Sequence, residues 1–164
     1  SMFLHASWMH LLGNMLYLWI FGDNVEDRLG HFWYLLFYLA GGFVAAFAHW
    51  AINPASSIPT VGASGAIAAV LGAYLIIYPR ARVYTFIPIG FFVRLRLLPA
   101  SMVLLLWFIL QLFSGVLTIG AGDVGGTAFW AHIGGFVFGV LVGVLLKGKG
   151  VESPARQWPQ TWEY

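Results

Sequence analysis

The sequence predicts an all-α polytopic membrane helix bundle with five spanning helices, and three observations lead there. Hydrophobic residues make up 60% of the 164 and charged residues only 9%, with a mean hydropathy of +0.83, which is too apolar for a water-exposed domain of this size. Five stretches each approach the roughly 17 to 25 apolar residues that a spanning helix needs. The eight Lys and Arg residues all fall in gaps on one side of those stretches. Cysteine is absent, which excludes thiolate metal or redox chemistry, and the net charge of +2 with no basic cluster of the nucleic-acid type leaves nucleic acid out.

The first span, residues 4–21, carries His5, His10 and Asn14, and Arg28 follows it. The second, residues 32–50, lies between His31 and the loop around Asn53-Pro54. The third, residues 62–78, opens on Gly62-Ala63-Ser64-Gly65. Residues 83–93 do not qualify as a span. They are roughly half the needed length, contain Pro88 and Gly90, and sit between Arg80, Arg82 and Arg94, Arg96, so they are read as lying at the membrane interface. The fourth span, residues 99–117, contains Trp107, Phe108, Gln111 and Phe113, with the three aromatics read as facing lipid. The fifth, residues 129–146, begins around Ala131-His132-Ile133-Gly134-Gly135 and is followed by Lys147 and Lys149.

Residues 1–147 are accordingly a membrane domain and 148–164 a short tail whose Trp158 and Trp162 rest on the interface. By the positive-inside rule the basic side, with the C-terminus, is cytoplasmic, and the loops around Asn53-Pro54 and Asp123 face outward. A prokaryotic inner membrane is the expected location. Because Ser1 runs into the first span without a loop, a further helix and loop are expected ahead of it.

Four polar residues then share one depth near the outer boundary: His10 and Asn14 in the first span, Ser64 in the third and His132 in the fifth. Polar groups within spans are costly and so point to function. Small-residue stripes, Gly135, Gly139, Gly143 on the last span and Gly65, Ala69, Ala73 on the third, let those two backbones approach closely and bring Ser64 towards His132. That is the pairing a serine needs for a base to activate it. His10 and Asn14, four apart, project from one face, and with the Ser64 N–H at a helix start they form an oxyanion hole. Each residue also has a bland reading. Gly-x-Ser-Gly occurs wherever membrane helices pack, Asn14 can bond across helices, Gln111 serves as interhelical glue, and His5, His31 and His49 act as interface anchors. Convergence of four such residues on three helices favours chemistry.

These residues identify a resemblance. His5-x-x-x-x-His10-x-x-x-Asn14, Gly22-x-x-x-Glu26-x-x-x-Gly30, Gly62-Ala63-Ser64-Gly65 and Ala131-His132-x-x-Gly135 stand in the order and spacing of the rhomboid intramembrane serine proteases, over nearly residues 1–147. The resemblance implies Ser64 as nucleophile, His132 as general base and acid, and His10, Asn14 and the Ser64 amide as oxyanion hole, supported by Gly62, Gly65 and Gly135. It implies transmembrane-helix proteins as substrates, entering past residues 99–117, with residues 114–127 as a cap over the site and Glu26 with Arg28 as a cap at the turn after the first span. One departure stands out: some relatives carry an aromatic one turn after the serine to support the histidine ring, where this chain has Ala68. Neither cofactor nor metal is implied, and no His-Glu-x-x-His spacing is present. A client-binding rhomboid-like protein without catalysis ranks second. A transporter ranks below it, because the polar residues cluster in one half of the membrane.

Overall fold

The computed structural model describes residues 1–52, 54–55, 60–119 and 127–147. Asp123 with residues 120–126 of the expected cap, and the tail from residue 148, lie outside the described residues. Among the described residues five helices run α1 (Trp8–Leu29), α2 (His31–Ile52), α3 (Ser64–Ile77), α4 (Ala100–Leu117) and α5 (Phe129–Lys147), with two strands, β1 (Arg82–Ile89) and β2 (Phe92–Pro99), between α3 and α4.

The chain is therefore mostly helical rather than all-α. Residues 83–87 alternate β-branched and aromatic side chains, and residues 93–97 alternate apolar residues with arginine, a two-residue period on each side of Gly90 that suits a strand pair. Gly90 has φ +60° and begins the two-residue loop Gly90-Phe91, and no other type of residue has a positive φ among those described. A glycine at the first central position with a negative φ after it is the tight hairpin turn that matches strand twist. Pro88 is tolerated because both strands of a two-stranded sheet are edges.

Among the described residues, three helices are long and apolar enough to cross a membrane, namely α2, α4 and α5, instead of the five expected. α1 begins at Trp8 because Ser7 caps it, its Oγ accepting from the His10 N–H at 3.1 Å. It continues through Asp23, Glu26, Asp27 and Arg28, whose charges dilute its apolar run. α3 has only 14 residues, about 21 Å at 1.5 Å per residue. It is the central helix: every residue from Gly65 to Tyr74 is buried.

α3 and α5 pack along the two small-residue stripes. A Cβ built on Gly135 would collide with the Gly65 carbonyl and one on Gly139 with the Ala69 carbonyl, while one on Gly143 would lie 3.1 Å from the Ala73 carbonyl. Only glycine allows this approach, which matches the expected pairing position by position. On the other face of α3, Phe21 of α1 meets Tyr74 edge-on at 5.0 Å.

The bundle has two distinct ends. At one, Ser64 begins α3, His132 lies in the first turn of α5, and the Ser1 carbonyl accepts from the Gly62 N–H at 3.1 Å. At the other, Tyr78 donates to the Asn24 carbonyl at 2.9 Å and Arg28 to the Leu146 carbonyl at 3.4 Å. Glu26 accepts from His31 rather than pairing with Arg28.

Candidate active site

The turn before α3 determines where Ser64 points. Gly62 has φ +115°, a conformation that side-chain-bearing residues rarely adopt, and the chain turns there straight into α3 with Ala63 as N-cap. Ser64 is thus the first helical residue, with its N–H among those that have no partner inside the helix. On α5, the Ala128 carbonyl accepts from the His132 N–H at 3.2 Å and fixes the ring one turn into the helix. With the backbones in glycine-mediated contact, His132 Nε2 lies 2.7 Å from Ser64 Oγ. His132 is only 8% exposed and Ser64 is half-buried.

The second ring nitrogen has a partner from α4. Gln111 Oε1 lies 2.7 Å from His132 Nδ1. A carbonyl oxygen only accepts, so Nδ1 carries the proton and Nε2 presents its lone pair to the Ser64 hydroxyl. Trp107, one turn earlier on α4, lies against the imidazole at 5.8 Å between ring centres, tilted by 35°. Trp107 and Phe108 also pack on Phe136 of α5. These two aromatics therefore face inward, a correction to the lipid-facing reading, whereas Phe113 is 64% exposed. The ring support absent at Ala68 comes from α4 instead. Gln111 is glue between α4 and α5, as its bland reading held, and its partner is the site histidine. Its sequence signal was slight: it is the only amide in α4 and stands four residues after Trp107.

His10 and Asn14 converge on the same turn. A Cβ built on Gly62 would lie 2.8 Å from His10 Nε2 and 3.6 Å from Asn14 Nδ2. His10 Nδ1 accepts from the Ala6 N–H at 3.4 Å, which leaves the ring proton on Nε2 as a donor facing the turn. Asn14 is 8% exposed, and its buried Nδ2 has no hydrogen-bond partner among the described residues. An unpartnered buried donor beside a serine needs a physical reason. His5 packs edge-on against the His10 ring at 5.1 Å, which makes it a neighbour of the site rather than a detached anchor. His31 is exposed at the opposite end.

Packing also sets the depth of the site. Ala45 of α2 is level with Gly65, since a Cβ there would lie 2.5 Å from Ala45 Cβ. α2 continues seven residues to Ile52, so it rises about 10 Å beyond Ser64. The serine is recessed below the end of a helix long and apolar enough to span.

The family model for the Rhomboid domain matches residues 1–149. The presenilin-associated rhomboid-like protein A, mitochondrial, of Danio rerio is 32% identical over 146 residues, 85% of this chain and 34% of that protein. Rhomboid-like protein 11, chloroplastic, of Arabidopsis thaliana is 43% identical over 65 residues, 40% of this chain and 23% of that protein. Rhomboid protease GluP of Bacillus subtilis is 43% identical over 72 residues, 44% of this chain and 14% of that protein. The chain thus spans about a third of the length of the zebrafish relative. The expected prokaryotic location gains no support from names that are mitochondrial and chloroplastic as well as bacterial. Membrane-crossing helices, the order of the site motifs and the family match agree: the chain is an integral membrane protein and belongs to the rhomboid family.

Proposed function

We propose that the protein is an intramembrane serine endopeptidase that hydrolyses peptide bonds in or beside transmembrane helices of other membrane proteins. The observation that carries this reading is the 2.7 Å approach of Ser64 Oγ to His132 Nε2, with Nδ1 held by Gln111 at 2.7 Å. Ser64 attacks the scissile carbonyl while neutral His132 takes the hydroxyl proton at Nε2. His10 Nε2–H, Asn14 Nδ2–H and the Ser64 N–H hold the oxyanion, and the unpartnered Asn14 amide supports that role. His132 then gives its proton to the leaving amine, and water hydrolyses the acyl-enzyme with the same base. Gln111 is a positioning residue: it touches neither substrate nor the reacting serine and sets which imidazole nitrogen is free.

A helical substrate hides its carbonyls in backbone hydrogen bonds and must unwind locally to present one. Glycine or proline near the cleavage site eases that step.

The test is labelling of the purified protein by a fluorophosphonate probe in mild detergent, followed by cleavage of a reconstituted single-span substrate. Wild type labels and cleaves. Ser64→Ala and His132→Ala lose both, by a factor on the order of 10⁴ or more in cleavage rate. A folded wild-type protein that neither labels nor cleaves would overturn the reading and leave a rhomboid-like membrane client-binding protein.

A further inference from the structure

The hairpin β1–β2 takes no part in the proposed reaction, yet it carries a distinct surface. Residues opposite each other in an antiparallel pair share a face. The register therefore puts Tyr84, Phe86 and Pro88 of β1 on one face with Leu97, Leu95 and Val93 of β2. All six are exposed, and Arg82 stands opposite Pro99 at the root of the same face. Arg94 and Arg96 stand on the other face, opposite half-buried Ile87 and Thr85, and Val83 on that face packs against the core. At the tip, Phe91 is fully exposed and Phe92 is 76% exposed.

Two open strand edges beside an apolar face form a surface that proteins in water avoid. Two observations say what covers it here. First, β2 runs into the spanning helix α4 without a linker, and the Ala100 N–H donates to the Ala81 carbonyl at 2.7 Å, which ties both feet of the hairpin to the mouth of that helix. The hairpin thus starts at the membrane surface, on the end where Arg28 and Lys147 also lie. Second, residues 79–99 contain Arg80, Arg82, Arg94 and Arg96 and no Asp or Glu, so the charge is of one sign and complements phosphate.

We propose that the hairpin is a lipid-binding element embedded in the interface of an anionic leaflet. Tyr84, Phe86, Val93, Leu95 and the Phe91 tip enter the acyl boundary, and Arg94 and Arg96 hold the phosphates of acidic phospholipids. Electrostatic attraction and buried apolar area act together, as in interfacial amphipathic segments, with a strand pair in place of a helix. This inference is independent of whether Ser64 is a nucleophile.

Because the chain has no cysteine, a single introduced one gives a unique probe site. Phe86→Cys, Phe91→Cys and Arg94→Cys, each spin-labelled in the full chain, are reconstituted into nanodiscs of phosphatidylcholine alone or mixed with phosphatidylglycerol. The readout is accessibility to oxygen against accessibility to a polar nickel chelate. The expected result is a severalfold higher oxygen-to-nickel ratio at positions 86 and 91 than at 94, with a further rise at 91 when phosphatidylglycerol is present. Arg94→Gln with Arg96→Gln should abolish that rise while leaving the melting temperature unchanged. Nickel access at 86 and 91 in both lipids would overturn the insertion. Equal ratios in the two lipids would overturn the headgroup contact, and dipolar broadening between labels on two copies would assign the face to self-association.

Discussion

A single amide decides how His132 is poised. Gln111 Oε1 on Nδ1 selects the tautomer in which Nε2 accepts from Ser64. Gln111→Leu removes the acceptor but keeps the volume, and the rate of substrate cleavage should fall about tenfold, the worth of one neutral hydrogen bond. Gln111→Glu, which can only accept when ionised, should retain activity and move the acid limb of the pH–rate profile upward, because a carboxylate at Nδ1 favours the imidazolium. A merely structural role would give both variants the same loss of melting temperature and leave the profile in place. Ser64, His132, His10 and Asn14 were legible from the sequence because their spacing survives in linear form. Gln111 and Trp107 were not, because their role depends on the rotation of α4 against α5, which no local pattern encodes. Asn14→Ala, which removes the unpartnered donor, should lower cleavage by about 10²- to 10³-fold and slow fluorophosphonate labelling as well, in a protein that still folds.

At the scale of elements, the α3–α5 contact holds the dyad together. It is so close that the glycines of α5 lie on carbonyls of α3, and the register of one against the other sets the Ser64–His132 distance. Gly139→Val forces a side chain into the Ala69 backbone, and overpacking of this kind costs about 1–3 kcal/mol. A thermal scan in detergent should show a clear drop in melting temperature, together with loss of probe labelling although position 139 is two turns from His132. α4 is held more lightly, with Ala100, Leu104 and Gly115 its buried residues. It nevertheless supplies the Gln111 and Trp107 contacts to the imidazole, so any movement of α4 away from α5 unseats His132. The sequence reading set residues 83–93 at the interface without assigning them a strand pair, and Pro88 and Gly90 counted there only against a span. The same two residues are compatible with an edge strand and a tight turn.

Across the whole molecule, the two ends differ in chemistry. One gathers Ser1, Gly62, Ser64 and His132, and the other gathers Arg28, Tyr78, the arginines at the hairpin root and Lys147. In oriented vesicles, single cysteines at Thr60 and Thr127 should react with a membrane-impermeant maleimide from one side, and cysteines at Pro79 and Lys147 from the other. Reaction of all four from one side would contradict the positive-inside orientation. Ser64 also lies about 10 Å below the end of α2, a helix long and apolar enough to cross a membrane.

The sequence by itself determined the membrane class, the order of the helices, the side on which charge gathers and the four polar residues that converge at the candidate site. All of these follow from local composition and short spacings along one chain. Tertiary structure alone decided that α3 is a short, buried central helix, that α1 carries its charges within a continuous helix, and that residues 82–99 form a hairpin. It also decided that His132 is steered from α4. The physical reason is the same throughout: burial, tautomer and strand pairing depend on which surfaces meet, and residues such as Gln111 and His132, 21 positions apart, acquire a shared role only once two helices pack.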